Sequence, residues 1–180
     1  MKKDKTYTKN AGILEWYDAL VFALVFLVLV FTFGVRVVAV DGISMNPTLW
    51  EGDRLLLQSM GYTPKRGDVV VIDGYNGLGR PLVKRVIAVG GDTLDIDFST
   101  GTVTRNGEVL QEDYIAEPTY LNYDVSFPVT VPPGYVFVMG DNRQHSNDSR
   151  STEVGFIDQR DILGKVLFRI FPLQQIGRIK

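Results

Sequence analysis

The chain of 180 residues contains no cysteine and a single histidine, His145. The absence of cysteine excludes a disulfide framework, a thiolate nucleophile and a cysteine metal site. One histidine cannot build a multi-histidine metal centre, and neither a metal nor another cofactor is expected. The formal net charge of -2 argues against nucleic acid as the main partner, because nucleic-acid-binding proteins usually present a basic face.

The sequence also lacks internal repeats, low-complexity tracts and, after Arg36, any long amphipathic helical pattern. Short β-rich runs alternate with turn signals instead, and strands without intervening helices favour antiparallel sheets over a βαβ array. Residues 102–110 predict a hairpin, because Asn106-Gly107 readily takes the two positive φ angles of a type I′ turn. The sequence therefore predicts one mainly β domain. The other predicted strands are 35–40, 54–58, 68–73, 82–89, 93–97, 136–139 and 165–170.

One long apolar run stands near the N-terminus. Residues 16–35 form a stretch of 20 residues, about the length that a helix needs to cross a hydrocarbon core of roughly 30 Å. Four lysines precede the run within the first nine residues, whereas Arg36 is the only nearby basic residue after it. By the positive-inside rule we expect a cytoplasmic tail (1–15), a transmembrane helix (16–35) and an extracytoplasmic domain (36–180). The protein is thus predicted to cross the cell membrane once, with the lipid bilayer as a partner.

Two alternatives compete with this anchor. A buried core helix is disfavoured, because the run is apolar on every face rather than on one. A cleaved signal peptide is the stronger alternative, since residues 37–39 (Val-Val-Ala) satisfy the small-residue rule before a cut. Against cleavage, Glu15 and Asp18 lie just before the run and Arg36 falls within the cleavage region. Cleavage would also leave Ser44 only a few residues from the new terminus, so the uncleaved anchor is favoured.

Two segments could supply a nucleophile and its base. Ser44 lies in a loop bounded by Gly42 and Pro47, which suits an exposed nucleophile, although an ordinary turn serine has the same features. A serine hydroxyl needs a base, and Lys84 stands in an otherwise apolar predicted strand. If Lys84 faces the core, desolvation lowers its pKa, and the charge of Arg85 would lower it further. A lysine pointing to solvent is the alternative.

A third segment, residues 139–150, is dense in glycine, asparagine, carboxylates and arginines. Asx turns and arginine–carboxylate forks could hold it as a rigid loop, although by itself it also fits a surface turn. It contains His145, which permits a Ser–His–Asp alternative with Asp141 or Asp148 as the orienting group. Most loop histidines are solvent-exposed bystanders, and the lysine interpretation is preferred.

Taken in order, these segments resemble the conserved boxes of type I signal peptidases. Residues 44–49 read Ser-Met-Asn-Pro-Thr-Leu and residues 66–71 read Arg-Gly-Asp-Val-Val-Val. Residues 84–87 read Lys-Arg-Val-Ile, followed by Gly91-Asp92, and residues 140–150 read Gly-Asp-Asn-Arg-Gln-His-Ser-Asn-Asp-Ser-Arg. Four ordered boxes behind one apolar run are a specific pattern, and the similarity extends to about Ile170.

The resemblance implies a membrane-bound serine endopeptidase that removes signal peptides from secreted preproteins after small-x-small motifs, usually Ala-x-Ala. Ser44 would attack the peptide carbonyl while Lys84 accepts its proton, and Ser146 would hydrogen-bond the lysine ammonium. The backbone N–H of Ser44 is the expected oxyanion donor. Gly42 stands where some relatives carry a second donor hydroxyl, as in relatives from Gram-positive bacteria, so a second donor is not assigned.

The resemblance also assigns supporting roles. Structural charges that hold the last box against the site are expected at Asp141, Arg143, Asp148 and Arg150. The apolar lining of the substrate pockets is expected at Val38, Val40, Met45, Leu49 and Val83.

Two rival functions share part of this pattern. Self-cleaving repressors of the DNA-damage response use similar Ser–Lys chemistry on a β core, but they carry a DNA-binding helix-turn-helix in place of a membrane span. An inactive membrane-tethered module that binds preproteins or envelope partners is the other rival. The presence of both Ser44 and Lys84 counts against it.

Overall fold

The N-terminal apolar run begins in a helix. The structure is a computed structural model that describes residues 6–29, 35–74 and 79–179, in which helix α1 spans Thr6–Leu29. Trp16 and Phe22 of this helix are exposed, with exposed fractions of 81% and 73%. Large apolar side chains are also exposed at each of the positions 24–29. Among the described residues, no helix combines the length and apolarity needed to cross a membrane. Residues 30–34 of the predicted span lie outside the described residues, and the transmembrane helix stays a prediction.

The rest of the described chain is mainly antiparallel β structure, as predicted. The strands are β1 (Val35–Ala39), β2 (Arg54–Gln58), β3 (Val69–Ile72), β4 (Leu82–Val89), β5 (Thr93–Asp97), β6 (Thr102–Arg105), β7 (Glu108–Val109), β8 (Val129–Thr130), β9 (Tyr135–Met139), β10 (Ile157–Asp158), β11 (Ile162–Phe171) and β12 (Gly177–Arg178). Short 3₁₀ turns occur at Gln159–Asp161 and Leu173–Gln175.

A large sheet forms the body of the domain, with the strand order β1-β2-β11-β3-β4-β9-β10 and β12 paired to β11. Its central strand β3 is buried on both faces. Val69 and Val71 pack into one apolar cluster with Leu55 and Leu57 of β2. The alternate residues of β3 pack into a second cluster with Val138 of β9 and its neighbours. An uninterrupted Val/Ile run suits such a strand, because successive side chains point to opposite faces.

A small sheet with the order β7-β6-β5-β8 packs beside the large one. Strand β5 alternates, so that Leu94 and Ile96 are buried while their neighbours are exposed. These two side chains join a cluster with Phe137 of β9, which ties the small sheet to the large one. The β6–β7 hairpin turns at Asn106 and Gly107 with φ of 55° and 82°, which confirms the predicted positive φ angles.

The predicted strands 54–58, 82–89 and 93–97 have the observed bounds. The predicted strand 165–170 is longer than expected, since β11 begins at Ile162 and ends at Phe171. Strands β8, β10 and β12 were not predicted, because two residues carry no readable alternation. The division into a tail, a span and a domain stays a prediction.

Candidate active site

The Ser44 loop connects β1 to β2, and core side chains anchor it. Met45 and Leu49 are almost fully buried in the cluster that also contains Leu55 and Leu57. Two helix-like backbone bonds shape the loop, from Asn46 N–H to the Ile43 carbonyl at 3.1 Å and from Leu49 N–H to the Met45 carbonyl at 2.9 Å. Ser44 itself is half-buried. The buried neighbours thus hold the serine hydroxyl at the edge of the core.

Lys84 meets this serine from β4. Its Nζ lies 2.7 Å from Ser44 Oγ, and only 3% of the residue is exposed. Lys84 is paired with Val70 of β3, so the two side chains lie on the same face of the sheet. Val86, two residues further along β4, faces the same way, and both valines belong to one apolar cluster. The buried lysine therefore shares this face of the sheet with apolar side chains.

Burial lowers the pKa of Lys84 from 10.5 to about 8, because the charged form loses its hydration. The carboxylates of Asp148 and Asp141 oppose this effect, while the charges of Arg80 and Arg150 reinforce it. Arg85, the neighbouring charge in the sequence, is ion-paired with Asp141, and its expected repulsion of Lys84 stays a prediction. A lysine with a pKa near 8 has an appreciable neutral fraction at neutral pH, so Lys84 can act as a base.

The loop over residues 140–150 packs against the Ser44 loop. Asn142 N–H donates to the Ser44 carbonyl at 3.0 Å, and its Nδ2 donates to the Ile43 carbonyl at 3.1 Å. A side chain at Gly140 would overlap the Ser44 carbonyl oxygen and the Ser146 hydroxyl. Glycine at this position permits the close approach of the two loops.

Asp141 joins three of the sequence boxes. It accepts a two-pronged bond from Arg85 at 2.8 and 2.7 Å and a bond from the Thr48 hydroxyl. Arg85 also donates to the Gly67 carbonyl at 2.8 Å, and its guanidinium lies 4.0 Å from the ring centre of Tyr114. Asp141 and Arg85 are both buried. The pair therefore fixes the Ser44 loop, strand β4 and the loop over residues 140–150 relative to one another.

Arg143 is fully buried and holds the start of the same loop. It donates to the Gly140 carbonyl at 3.0 Å, to the Thr119 hydroxyl at 2.7 Å and to both oxygens of Glu112 at 2.7 and 2.9 Å. Sequence reasoning missed Glu112. A buried arginine calls for a carboxylate, but Asp113 and Glu117 stand close by in the sequence, and nothing there distinguishes among the three.

Asp148 and Arg150 form a second buried pair at the end of the loop. Arg150 Nε donates to Asp148 at 2.8 Å, while the Gly140 N–H donates to the other oxygen of Asp148 at 3.0 Å. Arg150 also donates to the carbonyls of Leu121 and Arg143 at 3.0 and 2.8 Å. All four predicted structural charges thus lie in buried networks around the loop.

Two predicted contacts are corrected. Ser146 is buried, but its Oγ has no hydrogen-bond partner within the described part of the chain. The expected bond to Lys84 is absent there, because Ser146 Oγ lies over Gly140 while Lys84 Nζ contacts Ser44. Leu49 does not line the cleft, because its side chain is fully buried in the core beneath the loop.

A cleft of about 330 Å³ opens beside the Ser44–Lys84 pair. Arg80 and His145 also border this cleft. Within residues 6–29, 35–74 and 79–179, no hydrogen bond to the His145 side chain is found. Asp141 is ion-paired with Arg85, and Asp148 is ion-paired with Arg150. The geometry therefore gives the histidine no orienting carboxylate. The apolar wall contains four of the five predicted lining residues, Val38, Val40, Met45 and Val83.

Comparison with known proteins identifies the class. The family described as "Signal peptidase, peptidase S26" matches residues 13–171. The probable signal peptidase I-1 of Synechocystis sp. is 44% identical over 147 residues, covering 76% of this chain and 71% of the relative. The signal peptidase I of Bacillus licheniformis is 37% identical over 188 residues, covering 99% of both chains. A signal peptidase I structure from Enterococcus faecalis is 30% identical with a TM-score of 0.48, covering 58% of this chain and 97% of the other.

The chain therefore belongs to the signal peptidase family, peptidase S26, and is a serine endopeptidase of the signal peptidase I type. Cleavage of signal peptides is the activity that these matches support.

The burial of Lys84 predicts a pH-dependent stability. Its pKa in the folded protein is about 8, below the ordinary 10.5, so between these values the unfolded chain binds more protons and stability rises with pH. Below pH 8 the full penalty of roughly 3 kcal/mol is present. Lys84→Met removes this penalty. Its free energy of unfolding relative to wild type should therefore fall by about 2–3 kcal/mol between pH 7 and pH 10.

Denaturant unfolding in detergent at the two pH values measures this difference. Lys65→Met changes an exposed lysine and is the matched control, for which no comparable change with pH is expected. Equal pH dependence in wild type and Lys84→Met would show that the lysine is not charged at a cost in the folded protein.

Proposed function

We propose that this chain is a membrane-bound serine endopeptidase that cleaves signal peptides from secreted preproteins with a Ser44–Lys84 dyad. The observation that carries the proposal is the 2.7 Å separation of Lys84 Nζ and Ser44 Oγ at the side of a cleft. A hydroxyl is activated when a base lies within hydrogen-bond reach. Lys84 meets both requirements for that base, since burial lowers its pKa and its nitrogen contacts the serine.

The chemistry follows the general scheme of acyl transfer. Neutral Lys84 takes the Ser44 proton as Oγ attacks the peptide carbonyl, and the resulting ammonium returns a proton to the leaving amine. Water, deprotonated by the same lysine, then hydrolyses the acyl-enzyme. The Ser44 N–H donates no hydrogen bond within the described part of the chain, so it is available to the oxyanion. A second donor is not assigned, since residue 42 is glycine.

The cleft supports the proposed preference for small side chains before the cut. Val38, Val40, Met45 and Val83 form its wall next to Ser44. Valine side chains are stiff at χ1, so this wall would adjust little to a larger group. Alanine side chains would fit beside it, whereas larger side chains would collide with the valines. Preproteins with a small-x-small motif are therefore the proposed substrates.

The proposed anchor places this cleft close to the membrane. The segment 16–35 ends where β1 begins, and Val38 of β1 and Val40, just after the strand, already line the cleft. At about 3.3 Å per residue, three to five residues span roughly 10–17 Å. A signal peptide in the same bilayer would present its cleavage site at a similar height. Sharing one membrane raises the effective concentration of enzyme and substrate.

Ser44→Ala and Lys84→Ala are each expected to abolish cleavage of an Ala-x-Ala preprotein while leaving the fold intact, because they remove the nucleophile and its base. His145→Ala should stay within a few-fold of wild type. Cleavage in detergent is followed by electrophoresis, and the N-terminus of the product is sequenced. Activity that survives Lys84→Ala but is lost in His145→Ala would move the base to the histidine.

The dyad also predicts the pH dependence of kcat/KM. Because only neutral Lys84 accepts the proton, the rate on a short peptide should rise about tenfold per pH unit below 8 and reach half its maximum near pH 8. Removing a repelling charge in Arg80→Gln should move the half-point to higher pH. A histidine base would place the half-point near 6.5. A rate that is already flat between pH 7 and 9 would contradict a lysine base.

The anchor predicts a fixed orientation in the membrane. Protease added outside right-side-out vesicles should digest the part of the chain after Arg36 and spare an epitope tag at the N-terminus, because the basic flank stays inside. The same protease added to inside-out vesicles should remove only the tag, which is the control. A mature chain that begins near Val40 would identify residues 16–35 as a cleaved signal peptide.

A further inference from the structure

One residue of the 140–150 loop holds the carbonyl groups on both sides of the Ser44 Cα. The Asn142 backbone N–H donates to the Ser44 carbonyl at 3.0 Å. Its side-chain Nδ2 donates to the Ile43 carbonyl at 3.1 Å. Asn142 is half-buried and does not line the cleft beside Ser44. Any effect that its side chain has on catalysis must therefore pass through the nucleophile loop.

The bond to the Ile43 carbonyl controls the direction of another group. In a trans peptide the C=O of one residue and the N–H of the next lie in one plane and point in opposite directions. Fixing the Ile43 carbonyl therefore fixes the Ser44 N–H, which makes no hydrogen bond among the described residues. A bond accepted by the carbonyl also polarises the peptide unit and strengthens its N–H as a donor.

We propose that Asn142 is a positioning residue: its side-chain amide aims the Ser44 N–H at the oxyanion of the transition state. The inference rests on the proposed function, in which this N–H is the oxyanion donor. Asn142 acts through the Ile43–Ser44 peptide and has no proton-transfer role.

The Ile43 carbonyl accepts two hydrogen bonds, and only the one from Asn142 comes from outside the Ser44 loop. Asn46 N–H also donates to this oxygen at 3.1 Å, but Asn46 belongs to the same loop and moves with it. Asn142 is joined directly to Asp141, which is buried and forked to Arg85. The Asn142 amide therefore ties the Ile43–Ser44 peptide to a segment held by a buried ion pair, and a donor fixed in advance is what oxyanion stabilisation requires.

Removal of this amide leaves the other parts of the site in place. In Asn142→Ala the backbone bond to the Ser44 carbonyl remains, and so does the contact between Lys84 and Ser44. We expect kcat to fall about tenfold, less than the 10²–10³ loss on removal of an oxyanion donor itself. KM should stay within about twofold, because the substrate ground state does not use the oxyanion geometry. The pH of half-maximal rate should not move, because Asn142 carries no charge.

The experiment measures kcat, KM and the pH profile of the full chain in detergent on one peptide, together with the melting temperature. Gln144→Ala is the matched control, since that amide lies in the same loop and donates to the Pro118 carbonyl at 2.8 Å instead of the nucleophile loop. A tenfold loss confined to kcat in Asn142→Ala, with Gln144→Ala unchanged, supports the inference. If Asn142→Ala melts lower than wild type, Asn142→Ser, whose hydroxyl is too short to reach Ile43, takes its place.

Three results would overturn the inference: wild-type kcat in the Asn142 variant, a loss that lies in KM or in a shifted half-point, or an equal loss in Gln144→Ala. Ser44→Ala is measured in parallel. An inactive Ser44→Ala beside a fully active Asn142 variant refutes only the positioning role, whereas an active Ser44→Ala refutes the proposed function itself.

Discussion

The buried ion pair between Arg85 and Asp141 is the interaction on which the rest of the site depends. Both groups are almost inaccessible, and their remaining capacity is used by the Thr48 hydroxyl, the Gly67 carbonyl and the face of Tyr114. Removing one partner of a buried pair costs about 3–5 kcal/mol, because the other charge is left uncompensated. Any rearrangement that separates Arg85 from Asp141 therefore costs several kcal/mol of stability. The segments carrying Ser44, Lys84 and Asn142 consequently meet in one arrangement.

Lys84 illustrates a conflict between stability and chemistry. The apolar surroundings that lower its pKa also oppose the folded state whenever the lysine is charged. A methionine of similar shape would relieve that penalty but could accept no proton. Lys84 lies in a strand next to β3, which is buried on both faces, and it shares one face of the sheet with Val70 and Val86. The same burial thus destabilises the folded protein at this position and makes Lys84 able to act as a base.

The sequence was informative where a local pattern determines the structure. The alternation in 54–58 and 93–97 and the Asn106-Gly107 turn were predicted at the observed positions, because period and φ preference are local properties. The boxes also indicated which side chains would gather around Ser44. Contacts that depend on the path of the chain could not be predicted. Glu112 was not separable from neighbouring acids, and Leu49 was expected in the cleft because its box does not reveal which side of the loop faces the core.

The charges around the base explain why burial dominates its behaviour. Two carboxylates, Asp148 and Asp141, raise the pKa of Lys84, while two guanidiniums, Arg80 and Arg150, lower it. Asp148 and Arg150 are paired with each other, so their effects on the lysine oppose one another. Desolvation remains as the main cause, and unlike the attraction between exposed charges it is not screened by salt. The strength of the base is therefore set by the packing of the β sheet and depends little on the ionic conditions outside it.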